Sequence, residues 1–142
     1  MRVLLLFFTL ACSWGAYSQN KDLEGIWVLS KIKVDGHDID NKIIDTLKVT
    51  SNELRQVIIQ ESESGVEERL VFTGTIKLDK GVITLMNTKS ENHGQSKVIP
   101  EKQLEYKLKR NQLILIEKII YGKGDEILKE PVFSEMRYRR VK

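Results

Sequence analysis

The sequence predicts an all-β fold: an eight-stranded antiparallel up-and-down β-barrel with one short helix between strands 1 and 2. From Gln19 to Lys142 the chain contains no alanine, while isoleucine, valine and threonine supply 31 of these 124 residues. That composition favours sheet over helix. Short alternating segments are separated by turn residues at regular intervals, which is typical of strands joined by hairpins. Closing such a sheet into a barrel removes its exposed edges.

Residues 1–18 have the features of a secretory signal peptide. Arg2 precedes the apolar run Val3 to Ala11, and the small-residue pattern Ala16-Tyr17-Ser18 supplies a cleavage site. We therefore expect residues 1–18 to be removed. Residues 19–142 are then expected to form a single β-barrel domain, located in the periplasm or secreted.

The chain's one cysteine, Cys12, lies inside this leader. The exported domain is therefore expected to contain no disulfide, and an enzyme built on a thiol is excluded. Thr9-Leu10-Ala11-Cys12 also resembles a bacterial lipobox, in which the cysteine is acylated and becomes the first mature residue. This leaves an alternative location as an outer-membrane lipoprotein, and membrane attachment is expected only if Cys12 is lipidated.

The charge balance is nearly even. Without the leader the chain carries 22 lysines and arginines against 20 aspartates and glutamates, which indicates an ordinary solvated surface. Arg137 to Lys142 contains four basic residues in six, but Met136 and Tyr138 alternate with Arg137 and Arg139 as they would in a strand. We expect no nucleic-acid partner.

Turn residues divide the chain into eight predicted strands. Three links are hairpin-sized and contain residues that tolerate positive φ or bond their own backbone: Ser62 to Gly65, Lys80-Gly81 and Arg110-Asn111. Successive strands are therefore expected to be antiparallel neighbours. The predicted strands are Gly25 to Asp35, Glu53 to Glu61, Glu67 to Asp79, Gly81 to Thr88, Val98 to Lys109, Gln112 to Tyr121, Asp125 to Glu130 and Phe133 to Val141.

Three segments depart from plain alternation. The apolar side chains of the first strand change parity after Leu29, which predicts a β-bulge near Ser30-Lys31. Asp38 to Leu47 has isoleucines and a leucine at helical spacing, with Asp38 as N-cap, so we expect a short helix there. Asn87 to Lys97 contains no apolar residue, and we expect it to be a mobile loop.

The chain resembles the lipocalin-like domain of secreted bacterial proteins. The motifs are Gly25-Ile26-Trp27, the hairpin formed by Gly74 to Leu78 and Gly81 to Leu85, and the closing strand Met136 to Val141. The resemblance covers nearly all of residues 19–142 and implies a calycin-type β-barrel. It also implies that Trp27 lies at the closed end beneath an arginine near the chain's end.

An arginine stacked on an indole contributes roughly 0.5 to 2 kcal/mol, so this pair is expected to close the barrel and not to contact ligand. The expected closure residues are Gly25 and Trp27, together with a partner among Arg137, Arg139 and Arg140.

Neither a metal site nor a catalytic site is expected. His37 lies in a short stretch between Gly36 and Asp38 that lacks the spacing of a calcium loop, and His93 stands alone in a polar segment. The sequence contains no Gly-x-Ser-x-Gly elbow, no His-Glu-x-x-His and no glycine-rich phosphate loop. We expect a protein that is not an enzyme and needs no cofactor.

The expected function is the binding of a small hydrophobic molecule inside the barrel, with the predicted helix as a lid at its mouth. Bulky interior side chains and the lack of alanine leave an alternative, a filled barrel that serves as a protein-binding envelope accessory or inhibitor. The partner in that case is unknown. The residues expected to line the barrel are Phe72, Ile76, Met86, Tyr106, Met136 and Tyr138.

Overall fold

The computed structural model describes residues 21–40, 42–120, 122–123, 126–127 and 130–142, and the predicted leader with Cys12 lies outside them. Residues 21–23 form a short helical segment. Among the described residues, no helix has the length and apolarity needed to cross a membrane. The strands are β1 (Gly25–Val34), β2 (His37–Ile39), β3 (Ile44–Val49), β4 (Glu53–Glu61), β5 (Glu67–Asp79), β6 (Val82–Asn92), β7 (Gln95–Ile99), β8 (Lys102–Lys109), β9 (Gln112–Ile119), β10 (Gly122–Lys123), β11 (Glu126–Ile127) and β12 (Val132–Arg140).

Eight of these strands form a closed antiparallel barrel, as predicted. Its order is β1-β3-β4-β5-β6-β8-β9-β12, and β12 pairs with β1 from Trp27↔Arg140 to Val34↔Ser134 to close the ring. Two short strands extend it: β2 pairs with the end of β1, and β7 pairs with the second half of β6. A separate two-stranded hairpin consists of β10 and β11.

The predicted number of barrel strands is right, although two of the assignments differ. The predicted strands do not include β3, which pairs with both β1 and β4. They include Asp125 to Glu130 as a barrel strand, whereas the described part of that segment belongs to the separate hairpin as β11. These two differences cancel in the count.

Asp38 to Leu47, predicted as a short helix with a lid function, instead contributes to β2 and β3. Within β3, Asp45, Leu47 and Val49 are buried at a period of two, because alternate side chains face the interior. Backbone pairing with β1 on one edge and with β4 on the other satisfies the N–H and C=O groups of the strand. Isoleucine is β-branched and therefore suits a sheet better than a helix. The spacing of the isoleucines is compatible with a helix and with a strand, and pairing with β1 and β4 favours the strand.

Asp38 does not act as a helix cap. It lies opposite Lys33 in the β1–β2 ladder, and its carboxylate pairs with Lys31 Nζ at 2.7 Å and Lys33 Nζ at 3.7 Å. The hydrogen bond from Lys31 is the main reason that the pKa of Asp38 is lowered.

Asn87 to Lys97, predicted as a mobile loop, forms most of a β-hairpin. Residues 88–92 of β6 pair with β7 from Thr88↔Ile99 to Asn92↔Gln95. The side chains of β7 are exposed up to Val98, so neither of its faces requires apolar residues. A strand of this kind lacks the alternation on which the strand predictions relied.

Other local predictions are confirmed. The β1–β12 register shifts between Leu29 and Lys31, which is the expected bulge. The turn between β5 and β6 has positive φ at Lys80 (42°) and Gly81 (82°), the conformation that favours a tight hairpin. Leu70, Phe72, Ile76 and Leu78 occupy alternate positions of β5 and so share its inward face.

Candidate functional site

One end of the barrel is closed by Trp27. Its side chain has no exposed surface, and its Nε1 donates a hydrogen bond to the Leu23 carbonyl at 2.9 Å. The guanidinium carbon of Arg140 lies 4.5 Å from the centre of the indole ring, and Arg140 Nη2 donates to the Asp22 carbonyl. Residues 21–23 are thereby held across this end, which we call the closed end.

Alternation along β12 explains why the stacked cation is Arg140 and neither Arg137 nor Arg139. Tyr138 is buried, so Arg140, two residues later, faces the same side. Arg137 lies on the outer face and pairs with Glu135 at 2.5 Å, and Arg139 is exposed. Gly25 has φ of +143°, a conformation that favours glycine, and lies beside the Arg140 guanidinium.

A cavity of about 250 Å³ occupies the middle of the barrel, above the side chains that pack at the closed end. An apolar cavity of roughly 150 Å³ is enough to take up benzene, so this interior is not filled by its own side chains. The cavity walls are mainly apolar. The lining residues are Leu47, Leu54, Gln56, Ile58, Phe72, Gly74, Leu85, Thr88, Ile99, Pro100, Lys102, Leu104, Leu115, Glu117, Met136 and Tyr138.

A buried carboxylate holds two of the polar lining residues in place. Tyr138 Oη donates to Asp45 Oδ2 at 2.7 Å, and Gln56 Nε2 donates to the same oxygen at 2.8 Å. Asp45 is 4% exposed, and its Oδ1 has no partner. Burial raises the pKa of Asp45, and the two donated hydrogen bonds oppose that rise in part. Burial and the adjacent carboxylate raise the pKa of Tyr138 as well.

Thr88 supplies a second polar group, made possible by a glycine. Its side-chain oxygen is buried without a hydrogen-bond partner among the described residues. A Cβ atom on Gly74 would lie 2.5 Å from this oxygen, closer than real Cβ contacts allow. The register of β5 and β6 shifts at this point, between Thr73 and Thr75. The missing side chain at Gly74 therefore leaves room for the Thr88 hydroxyl at the cavity wall.

An ion pair forms part of the cavity lining. Lys102 Nζ lies 2.5 Å from Glu117 Oε1, and the two side chains are 41% and 27% exposed. Each residue shares the inward face of its strand with a buried leucine, Leu104 on β8 and Leu115 on β9. The pair is thus part of the barrel interior and still reaches solvent.

The structure divides the six residues that were expected to line the barrel. Phe72, Met136 and Tyr138 line the cavity. Ile76 and Tyr106 face inward but belong to the packed core. Met86 lies opposite the exposed Thr75 and faces outward, because it alternates with Ile83 and Leu85, which face inward.

The sequence analysis did not identify Asp45, Gln56 or Thr88 as site residues. Asp45 fell within the predicted helix, so it could not be assigned an inward face. Thr88 ended the predicted strand Gly81 to Thr88 and also lay in the predicted loop, and regular alternation from Leu85 would place it outward; the register shift between β5 and β6 brings it inward. For Gln56 a signal was available. It lies between Leu54 and Ile58 at a period of two on a predicted strand, which indicates a polar side chain on the apolar face.

Neither histidine belongs to a candidate metal site in the described part of the chain. His37 and His93 are exposed, and no group of three or more His, Cys, Asp or Glu side chains in the described part of the chain is placed to hold a metal ion. No family model, curated protein or solved structure matches this chain.

Proposed function

We propose that this protein is an exported, lipocalin-like binding protein that holds one small hydrophobic molecule in the middle of its barrel. The observation that carries the proposal is the cavity of about 250 Å³ with mainly apolar walls. Binding sites for small molecules are typically concave and apolar with a few placed polar groups. The proposed role is binding without catalysis and without a cofactor.

The arrangement of the two ends supports this proposal. Trp27, Arg140 and residues 21–23 occupy the closed end, so a ligand would enter from the opposite end. The lining there includes Ile58, Ile99 and Glu117. Transfer of apolar ligand surface out of water would provide the main driving force, at roughly 25 cal/mol per Å².

Benzene is a suitable first probe because it tests the apolar cavity without requiring any polar contact. Ile58 lines the cavity, whereas Ile59, the next residue on β4, points outward and pairs with Ile44. We expect benzene to raise the melting temperature of the native protein and of the control variant Ile59→Phe. Ile58→Phe should narrow the cavity and reduce the shift. An equal shift in both variants, or none in the native protein, would contradict the proposal.

Native mass spectrometry of the purified protein addresses the alternative function. A co-purifying mass of small-molecule size supports ligand carriage. A barrel without such a mass that also fails to take up benzene would favour a protein-binding accessory or inhibitor, for which exposed apolar side chains such as Phe133 and Val98 are available.

Export is proposed from the features of residues 1–18. Mass analysis of the mature protein should give an N-terminus at Gln19 if the leader is cleaved after Ser18. An acylated Cys12 at the N-terminus would instead establish the lipoprotein form, and Cys12→Ser would then release the protein from the membrane fraction.

A further inference from the structure

The hydrogen of the Tyr138 hydroxyl already forms a hydrogen bond within the protein. It is donated to Asp45 Oδ2 at 2.7 Å, and the sulfur of Met136, at 3.7 Å, is a much weaker acceptor. A phenol has a single hydrogen, so Tyr138 can only accept a hydrogen bond from a ligand. This holds in either protonation state of Asp45, because the unpartnered Oδ1 is free to carry a proton while Oδ2 continues to accept.

The charges around the cavity also disfavour an anionic ligand. Among the described residues of the lining, Lys102 is the one lysine, and it is already paired with Glu117 at 2.5 Å. Asp45, behind Tyr138 and Gln56, has no cationic partner in its hydrogen-bond network. In either protonation state Asp45 supplies no positive charge, and the charge of Lys102 is already matched by Glu117. An anionic ligand would therefore lose hydration without gaining an unpaired cation among the described lining residues.

Thr88 indicates that the ligand has a polar group. Its oxygen is buried and unpartnered, and buried polar groups in proteins nearly always have a partner. A hydroxyl accepts as readily as it donates. A ligand that donates hydrogen bonds therefore meets acceptors at both Tyr138 and Thr88.

We propose that the cavity selects apolar molecules whose polar end is a hydrogen-bond donor, an amine or an alcohol, over molecules of the same length that end in a carboxylate. This inference rests on the proposed ligand-binding function and specifies the class of ligand.

Three ligands with the same six-carbon chain test the selectivity: hexylamine, hexan-1-ol and hexanoate, titrated calorimetrically into the purified protein at neutral pH. We expect the amine and the alcohol to bind at least about tenfold more tightly than hexanoate. Tyr138→Phe removes one acceptor and should weaken hexan-1-ol several-fold without strengthening hexanoate. Glu117→Gln releases Lys102 and should increase the affinity for hexanoate, which narrows the gap.

Thr88→Val provides a second test if Tyr138→Phe does not fold, since it retains the shape of the side chain and removes the hydroxyl. It should also weaken hexan-1-ol while leaving benzene binding unchanged. Hexanoate affinity equal to or greater than that of the amine and alcohol would overturn the selectivity and leave the proposed function standing. Failure of all three ligands while benzene binds would do the same. Failure of benzene and all three ligands would overturn both proposals.

Discussion

Replacement of Gly74 by alanine tests the packing between β5 and β6 at the cavity wall. The new Cβ would lie 2.5 Å from Thr88 Oγ1 and 3.2 Å from the Met86 carbonyl oxygen. Overpacking of this kind typically costs about 1 to 3 kcal/mol. Gly74 is not among the residues with positive φ, so alanine would also gain about 0.4 to 1 kcal/mol by restricting the unfolded chain. We expect a net loss of about 1 to 2 kcal/mol, or roughly 3 to 8 °C in melting temperature.

A double-mutant cycle assigns this loss to the Thr88 hydroxyl. Urea denaturation of Gly74→Ala should show the net destabilisation, and the same change in a Thr88→Ala background should cost at least about 1 kcal/mol less. Thr88→Ser is the matched control, because it keeps the oxygen and should give little relief. If Gly74→Ala stabilises the protein, or costs the same in both backgrounds, the close contact does not determine the residue at position 74.

The same substitution should also affect ligand binding. The Met86 carbonyl belongs to the backbone of a paired strand, so the Thr88 side chain is the group free to move. Its movement would reduce the space in the cavity, and we expect Gly74→Ala to weaken benzene binding as well as stability. Unchanged benzene affinity in a measurably destabilised Gly74→Ala protein would contradict this mechanism.

Three further predictions concern the closed end and the buried carboxylate. Arg140→Lys should lower the free energy of unfolding by about 1 to 2 kcal/mol, because lysine does not reproduce the planar stacking on Trp27. As controls, Arg137→Lys and Arg139→Lys should change it by no more than about 0.5 kcal/mol. Equal effects of the three variants in urea denaturation would refute the assignment of Arg140 as the stacked arginine. Burial raises the pKa of Asp45 above 3.8, so the folded state binds this proton more tightly than the unfolded state, and the stability of the native protein should fall as pH rises from about 4 through the raised pKa. Asp45→Asn should remove that component of the pH dependence, as measured by unfolding at several pH values, and an unaltered slope would count against it. Trp27→Phe should lower the melting temperature, since it loses the hydrogen bond to Leu23, and should leave benzene affinity unchanged.

The parts of the fold that the sequence predicted are those in which one strand face is apolar and the other polar. On β5 the alternation from Leu70 to Leu78 continues through the packed interior, so the pattern in the sequence is the pattern of burial. The resemblance, and not alternation, implied that Trp27 lies at the closed end beneath an arginine near the chain's end. Which arginine it meets depends on the parity of β12, and Tyr138 as an inward residue identifies Arg140.

The prediction of strands and of their inward faces failed where polar side chains are buried. Asp45 is a charged residue on an inward face, which conceals the alternation of β3, and the isoleucines at positions 43 and 44 also fit a helix. On β6 the positive φ of Asn87 (50°) accompanies the register shift that brings Thr88 to the same inward face as Leu85, three residues earlier. Both irregularities lie next to the cavity, and neither has a signature in residue spacing.

Two of the four buried polar side-chain atoms that have no hydrogen-bond partner among the described residues lie around the cavity; the other two are Asn92 Oδ1 and Arg140 Nε. At the closed end the indole N–H of Trp27 is satisfied by Leu23, and although Arg140 Nε has no hydrogen-bond partner, its guanidinium stacks on the indole. Around the cavity, Asp45 Oδ1 and Thr88 Oγ1 are both buried and unpartnered. Each such atom costs roughly 1 to 3 kcal/mol relative to a paired one. Asp45 offsets part of this cost because its Oδ2 accepts hydrogen bonds from Tyr138 and Gln56. The Thr88 hydroxyl has no such compensation, so its presence at the cavity wall favours a role in binding over a role in folding.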